Sequence, residues 1–254
     1  MKVKVIQYDI AWGQPAANLV RLDALLAGDD AHADVYVLPE MFTTGFVMQP
    51  EGVAETEQGP ALQWLLQKAC SLDAAIAGSI AVQTADGYYR NRFCFVEPDG
   101  RITVYDKRHL FTYGGEQKRY TSGQHRTIVT FRGVRILLQV CYDLRFPVWS
   151  RNRSDYDMAL YVANWPETRH DVWQTLLRAR AIENQCYVVG VNRVGSDSAC
   201  RYRGGSMIVN PYGQTIASCD DYKESSAVAE LDMEHLMAFR RKFPVLQDAD
   251  DFTL

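Results

Sequence analysis

No stretch of this chain approaches the roughly 18 consecutive apolar residues that a membrane-crossing helix needs. The first residues, MKVKVIQYDIAWGQP, have neither an apolar core of signal-peptide length nor a small-residue cleavage site, so the cytoplasm is the expected location and no membrane partner is expected. Cys70, Cys94, Cys141, Cys186, Cys200 and Cys219 form no C-x-x-C pair and no regular spacing, which argues against a zinc site and a disulfide framework and for reduced thiols. Neither G-x-G-x-x-G nor G-x-x-x-x-G-K-[ST] occurs, so no nucleotide cofactor is expected, and no metal is either. The formal charge of −4 comes without a basic stripe, which removes the electrostatic footprint of a nucleic-acid binder.

Apolar residues make up 47% of the 254 and charged residues 23%, enough to bury a large core, and disorder is not expected. A single domain spanning 1–254 is the expectation. Along the chain, strand and helix signals alternate. Val3 to Tyr8 reads as a strand, Pro15 opens a helix with Leu19, Leu22, Leu25 and Leu26 on one face, Asp34 to Leu38 is a strand, and Pro60 opens a second helix. Ala74 to Val82 is a strand of small residues whose Gly78 predicts close approach of another group.

Two hairpins follow, Tyr88 to Val96 with Arg101 to Lys107 around EPDG, and Thr127 to Phe131 with Val134 to Val140 around Arg132-Gly133. The Gly-rich segment His109 to Gly123 between them reads as a long functional loop. Beyond Cys141 come a short helix near Val148 to Arg153, a strand Met158 to Ala163, a helix Val172 to Gln185 and a strand Tyr187 to Asn192. Further strands are read at Ser206 to Asn210, Thr215 to Ser218 and Ala227 to Leu231, then a helix Met233 to Lys242. VYVLPE at Val35 to Glu40 echoes LYVANWPE at Leu160 to Glu167, a hint of repeated strand-helix units. The pattern predicts an α/β layered sandwich, two mixed sheets with helices outside.

Three strands end in ionisable side chains. VYVLPEMF delivers Glu40, TVYDKRHLF delivers Lys107, and VRILLQVCYDLRFP delivers Cys141. Ends of strands in layered α/β folds converge on a crevice, where a carboxylate, an ammonium and a thiol make a hydrolytic set. A thiol becomes a nucleophile with the help of a base. Glu40, beside Met41, Phe42 and Phe46, is one candidate base and His109 is another. Lys107 would stabilise thiolate and oxyanion, and Cys141 is expected to be the thiol most readily alkylated near neutral pH. Cysteine is also among the most buried residue types, so each thiol taken alone reads first as a small core hydrophobe.

Taken together and in this order, LPEMF, YDKRHLF and VCYDLRFP resemble the carbon-nitrogen hydrolase (nitrilase) superfamily, whose Glu-Lys-Cys triad is similar to Glu40, Lys107 and Cys141. The likeness runs from the first strand to KFPVLQDADDF. It implies a four-layer αββα sandwich, subunits paired into a homodimer or larger homo-oligomer, and a second glutamate matched by Glu116 in GGEQKRYTSG, a position that reads otherwise as a solvated loop acid. CYDLRFP, ANWP and RARAIENQ most resemble the omega-amidases, which deaminate 2-oxoglutaramate and 2-oxosuccinamate. The implied partner is therefore a small amide with a carboxylate at its far end. Arg145 is the candidate for that carboxylate, with a structural ion pair as the alternative and Arg169 or Arg193 as substitutes. Phe42, Tyr142 and Trp165 are the expected pocket walls. Beta-ureidopropionase or N-carbamoyl amino acid amidase activity is the rival within the superfamily. A non-catalytic binding module is the rival outside it, and it would be expected to lack a triad residue, which this chain does not.

Overall fold

The central strands lack hydrophobic alternation because both of their faces are covered, as the burial of Ala75 to Val82 and of Met158 to Val162 along their whole length records. The computed structural model describes residues 1–27 and 32–250; the last two residues of KFPVLQDADDF lie outside them. In chain order the described elements are β1 (Lys2–Gln7), α1 (Pro15–Ala27), β2 (Val35–Val37), β3 (Glu55–Thr56), α2 (Pro60–Leu72), β4 (Ala75–Gln83), β5 (Tyr89–Val96), β6 (Ile102–Asp106), β7 (Ile128–Phe131) and β8 (Val134–Val140). They continue with α3 (Pro147–Ser150), β9 (Met158–Val162), α4 (His170–Glu183), β10 (Tyr187–Val191), β11 (Val194–Ser196), β12 (Arg201–Arg203), β13 (Met207–Val209), β14 (Thr215–Ser218), β15 (Ser225–Glu230) and α5 (Met233–Lys242).

Two large mixed sheets result among the described residues. One runs β15-β1-β2-β4-β5-β6 with β3 beside β4, the other β14-β13-β10-β9-β8-β7. Val3, Val5, Val37, Phe93 and Phe95 of the first sheet pack against Ile136, Leu138, Val140, Val162 and Val189 of the second. The outer face of the first sheet is covered by α1 and α2 through Leu22, Leu62, Trp64 and Leu65, and that of the second by α4 through Trp173, Leu177 and Ala181. The layers are α, β, β, α, as the resemblance implied. Edge strand β15 alternates between half-buried and exposed, because one of its faces remains in water.

Both expected hairpins form, the second turning through Arg132 and Gly133 in the left-handed region. The helix at 148–153 is a single turn, Pro147–Ser150, and the one at 172–185 begins two residues earlier, at His170. A short hairpin, β11 with β12, went unread because Gly195, Ser196 and Arg201 give no apolar run. The echoed segments occupy like places. β2 lies between its parallel neighbours β1 and β4, and β9 between its parallel neighbours β8 and β10.

Gly78 meets its expectation of close approach. A Cβ there would lie 2.9 Å from Cδ1 of Phe42 and 3.0 Å from Cβ of Leu38. Gly78→Ala is therefore expected to lower stability by about 1–3 kcal/mol, read from the urea midpoint, through overpacking against the Leu38 to Phe42 segment. A midpoint equal to wild type would show that this segment yields.

Candidate active site

Each of the three ionisable residues is delivered by a strand and fixed by the turn that follows it. After β2, the N–H groups of Met41 and Phe42 donate to Oγ (2.9 Å) and O (3.0 Å) of Ser79, turning Glu40 inward. After β6, Lys107 N donates to Asn91 O (2.9 Å) and Lys107 O accepts from Gly123 N (2.9 Å). After β8, Cys141 opens a 3-10 turn with φ +45°, a left-handed conformation unfavourable for a residue with a Cβ by roughly 1–2 kcal/mol. The buried Asp143 holds that turn in place: Oδ2 accepts from Val140 N (3.0 Å) and Tyr105 OH (2.8 Å), and Oδ1 from His109 N (3.0 Å).

The side chains of Glu40 and Lys107, 67 residues apart, meet with Glu116 in the interior. Lys107 Nζ donates to Glu40 Oε1 (3.0 Å) and to both oxygens of Glu116 (2.9 and 3.1 Å), with all three side chains shut off from solvent. Asn91 Nδ2 donates to Glu40 Oε1 (2.8 Å) and to Glu116 Oε1 (3.3 Å). The N–H of Asn164 donates to Glu40 Oε2 (2.8 Å), and that of Phe111 to Glu116 Oε2 (2.6 Å). Glu116 is thus a buried partner of Lys107 and no solvated loop acid. Glu40, Lys107 and Cys141 border one cavity of about 80 Å³, together with Phe46, Phe111, Tyr142, Arg145, Asn164, Trp165, Arg169 and Tyr202.

Burial opposes the charge on Lys107, but Glu116, Glu40 and Cys141 outweigh it and hold the ammonium above its ordinary range. Burial raises Glu116, which Lys107 partly offsets. The Cys141 thiol is pushed well above the usual thiol range, first by burial and then by the Glu40 charge, which together exceed the opposing pull of Lys107; a hydrogen bond to Glu40 adds to the rise. Burial and the Glu40 charge thus disfavour a standing thiolate, so the fast alkylation expected of Cys141 requires its proton to pass to a base as the sulfur attacks.

Among the expected pocket walls, Tyr142 and Trp165 line the cavity and Phe42 does not. Phe42 is wholly buried in the core under α2, its ring 5.9 Å from Trp64, because the turn that points Glu40 inward sends Phe42 toward the helix layer. Phe46 takes the wall, its ring 5.1 Å beneath Lys107 Nζ. His109 stacks on Phe146 at 3.8 Å and pairs through Nδ1 with Asp143 at 2.8 Å, outside the cavity lining, so it is not placed as the base. Arg193 is buried, bound to Asp9 at 2.8 Å and stacked on Tyr202 at 4.6 Å, outside the cavity lining. Arg145 and Arg169 do line it, over the rings of Trp165 (5.1 Å) and Phe111 (5.4 Å). Asn91, Asn164, Phe111 and Tyr202 were not singled out from the sequence; ANWP and YDKRHLF contain two of them, whereas Asn91 and Tyr202 sit in strands without a local signal.

The family model "Carbon-nitrogen hydrolase" matches residues 2–241. The chain belongs to the carbon-nitrogen hydrolase family. This hydrolase is 51% identical to "Omega-amidase YafV" of Escherichia coli, over 100% of this chain and 98% of that protein. It is 32% identical to "2-oxoglutaramate amidase" of Bacillus subtilis, over 97% and 96% of the two chains. Among solved structures, a CN-hydrolase superfamily protein of Xanthomonas campestris, with an arsenic adduct in its active site, superposes at TM-score 0.97 and 40% identity, over 100% of this chain and 98% of that one.

The thiol's surroundings fix a pH dependence. The thiolate absorbance near 240 nm lost in Cys141→Ser is expected to titrate above the ordinary thiol range, and in Glu40→Gln to titrate lower, because the carboxylate's charge and hydrogen bond both raise the wild-type value. An unchanged titration in Glu40→Gln would separate Glu40 from the sulfur.

Proposed function

We propose that this carbon-nitrogen hydrolase is an omega-amidase, cleaving the terminal amide of 2-oxo acid monoamides such as 2-oxoglutaramate and 2-oxosuccinamate to the 2-oxo acid and ammonia. The observation that carries this reading is the pairing, in one small cavity, of the Glu40, Lys107 and Cys141 constellation with the Arg145 guanidinium. Among the described residues Arg145 rests on Trp165 and makes no ion pair, so its N–H edges remain free for a carboxylate. The names of the Escherichia coli and Bacillus subtilis relatives point the same way.

In the proposed mechanism Glu40 accepts the Cys141 proton as sulfur bonds to the amide carbon. Lys107 and the Tyr142 N–H hold the resulting oxyanion. The protonated Glu40 then returns its proton to nitrogen as the C–N bond breaks, ammonia leaves, and a thioester remains. Water, deprotonated by Glu40, adds to the thioester. The C–S bond breaks, the acid departs, and sulfur takes the proton back. The raised thiol suits this sequence, because a proton already shared with Glu40 is transferred during attack and no standing thiolate is needed. Glu116 orients Lys107, while Phe46, Tyr142 and Trp165 shape the walls.

The proposal includes one catalytic domain acting in the cytoplasm as a homodimer or larger assembly. Tyr212 and Phe243 are exposed, and the Tyr212, Phe239 and Phe243 rings follow one another at 4.3 and 6.4 Å, an apolar surface suited to a second copy.

Arg145→Ala is expected to lower kcat/KM for 2-oxoglutaramate about 10- to 150-fold, the worth of a charge-assisted hydrogen bond of about 1.5–3 kcal/mol, and to affect a neutral amide of similar length far less. Ammonia release from both substrates reads the difference. Equal losses would make Arg145 structural. Wild-type preference for an N-carbamoyl compound would overturn the omega-amidase reading and leave the hydrolase family standing.

A further inference from the structure

Asn164 follows β9 and ties the second sheet to the residue that follows β2 in the first. Its N–H donates to Glu40 Oε2 (2.8 Å) and its Nδ2 donates to the Glu40 carbonyl oxygen (2.6 Å). The second bond fixes the orientation of the planar amide. With the donor half committed to Glu40, the acceptor Oδ1 lies on the opposite side of the amide.

That oxygen is buried and has no partner among the described residues. Asn164 is 5% exposed and borders the active-site cavity. Asn91 Oδ1 and Gln139 Oε1 are also buried without partners, but neither residue borders the cavity. An unmet buried acceptor costs about 1–3 kcal/mol, so a ligand N–H that reaches it is favoured over a ligand oxygen. The two carboxylates beside the reacting group, by contrast, already accept several hydrogen bonds each. Glu40 takes Lys107, Asn91 and the Asn164 N–H, and Glu116 takes Lys107, Asn91 and the Phe111 N–H.

A primary amide brings one carbonyl oxygen, directed at Lys107 in the mechanism above, and two N–H groups. We propose that Asn164 Oδ1 accepts one N–H of the scissile amide nitrogen and keeps it through the tetrahedral intermediate, while Glu40 delivers its proton to the lone pair of the same nitrogen. Asn164 then has two functions. Its backbone N–H and Nδ2 position the general base, and its Oδ1 touches the leaving group and selects amides over esters, whose leaving oxygen has no hydrogen to donate. The inference rests on the amide-hydrolase reading.

The test compares ammonia release from 2-oxoglutaramate with hydrolysis of the corresponding methyl ester, as kcat/KM, in wild type, Asn164→Leu and Asn164→Asp. Leucine removes donor and acceptor, so both substrates should slow through the loosened Glu40, and the amide should lose about 3- to 10-fold more than the ester. Aspartate removes the Nδ2 donor and keeps an acceptor, so its amide-to-ester ratio should stay near wild type. Should circular dichroism show Asn164→Leu unfolded, Asn164→Ala supplies the same ratio. Equal losses on amide and ester in the leucine or alanine variant overturn the acceptor role. Wild-type enzyme that releases no ammonia from the amide removes the underlying reading, and this inference with it.

Discussion

Lys107 is an ammonium with no access to water, and the site depends on how that charge is met. Taking a charge out of water costs several kcal/mol, and the cost is recovered only with close opposite charge and satisfied protons. Glu40 and Glu116 supply both, at 2.9 to 3.1 Å, and Asn91 donates to one oxygen of each carboxylate, the same oxygens that Lys107 bonds. Removing either glutamate would leave a buried charge short of a partner, at a cost of about 3–5 kcal/mol. The arrangement therefore constrains the fold as well as the chemistry, since β2, β5, β6 and the loop after β6 must all arrive at one point. It also prevents Lys107 from acting as a base, because its proton is held by two carboxylates and a thiol's neighbourhood.

The proposed nucleophile is subject to the opposite constraint. Cys141 occupies a left-handed backbone position that a side chain disfavours, and Asp143 fixes the turn through bonds to Val140, Tyr105 and His109. His109 thereby contributes at one remove, by filling the outer valence of Asp143 and stacking on Phe146. Strain held at such a position is sustained by the surrounding hydrogen bonds. Tyr105, which donates to Asp143, also receives the Trp149 indole N–H at 3.1 Å and the Arg108 N–H at 3.1 Å, so the turn is braced from β6 and α3 together.

Glu40, Lys107 and Cys141 were legible because each ends an apolar run, and an apolar run is the part of a sequence that reports burial most directly. The layers were legible for the same reason. Phe42 was misplaced because a residue two positions from a catalytic candidate looks like a neighbour in sequence, while the turn after β2 sends it into the opposite layer against Trp64. Asn91 carries no signal, since one amide in a strand of Tyr, Arg and Phe is ordinary until its partners are known. Asn164 stood in a motif already noted, ANWP, but what it does depends on a residue 124 positions away. Long-range polar partnerships of this kind have no period, and periodicity is what sequence reading detects.

The echo between VYVLPE and LYVANWPE acquires a physical meaning from those bonds. β2 and β9 sit at corresponding places in their sheets, each between two parallel neighbours, and each releases a polar residue at its end. One is Glu40 and the other Asn164, and they bind each other through both backbone and side chain. A cleft assembled from two sheets needs such a tie, because the sheets otherwise meet through apolar contacts that do not fix an angle or a register to the accuracy that proton transfer requires. Electrostatics then completes the selection. Two carboxylates meet one ammonium at Lys107, and Arg145 and Arg169, the two guanidiniums lining the same cavity, add positive charge that favours the anionic substrate proposed above. The catalytic end can thus be rich in carboxylate while the cleft as a whole attracts an acid, and an acid that carries its amide at the other end satisfies both halves at once.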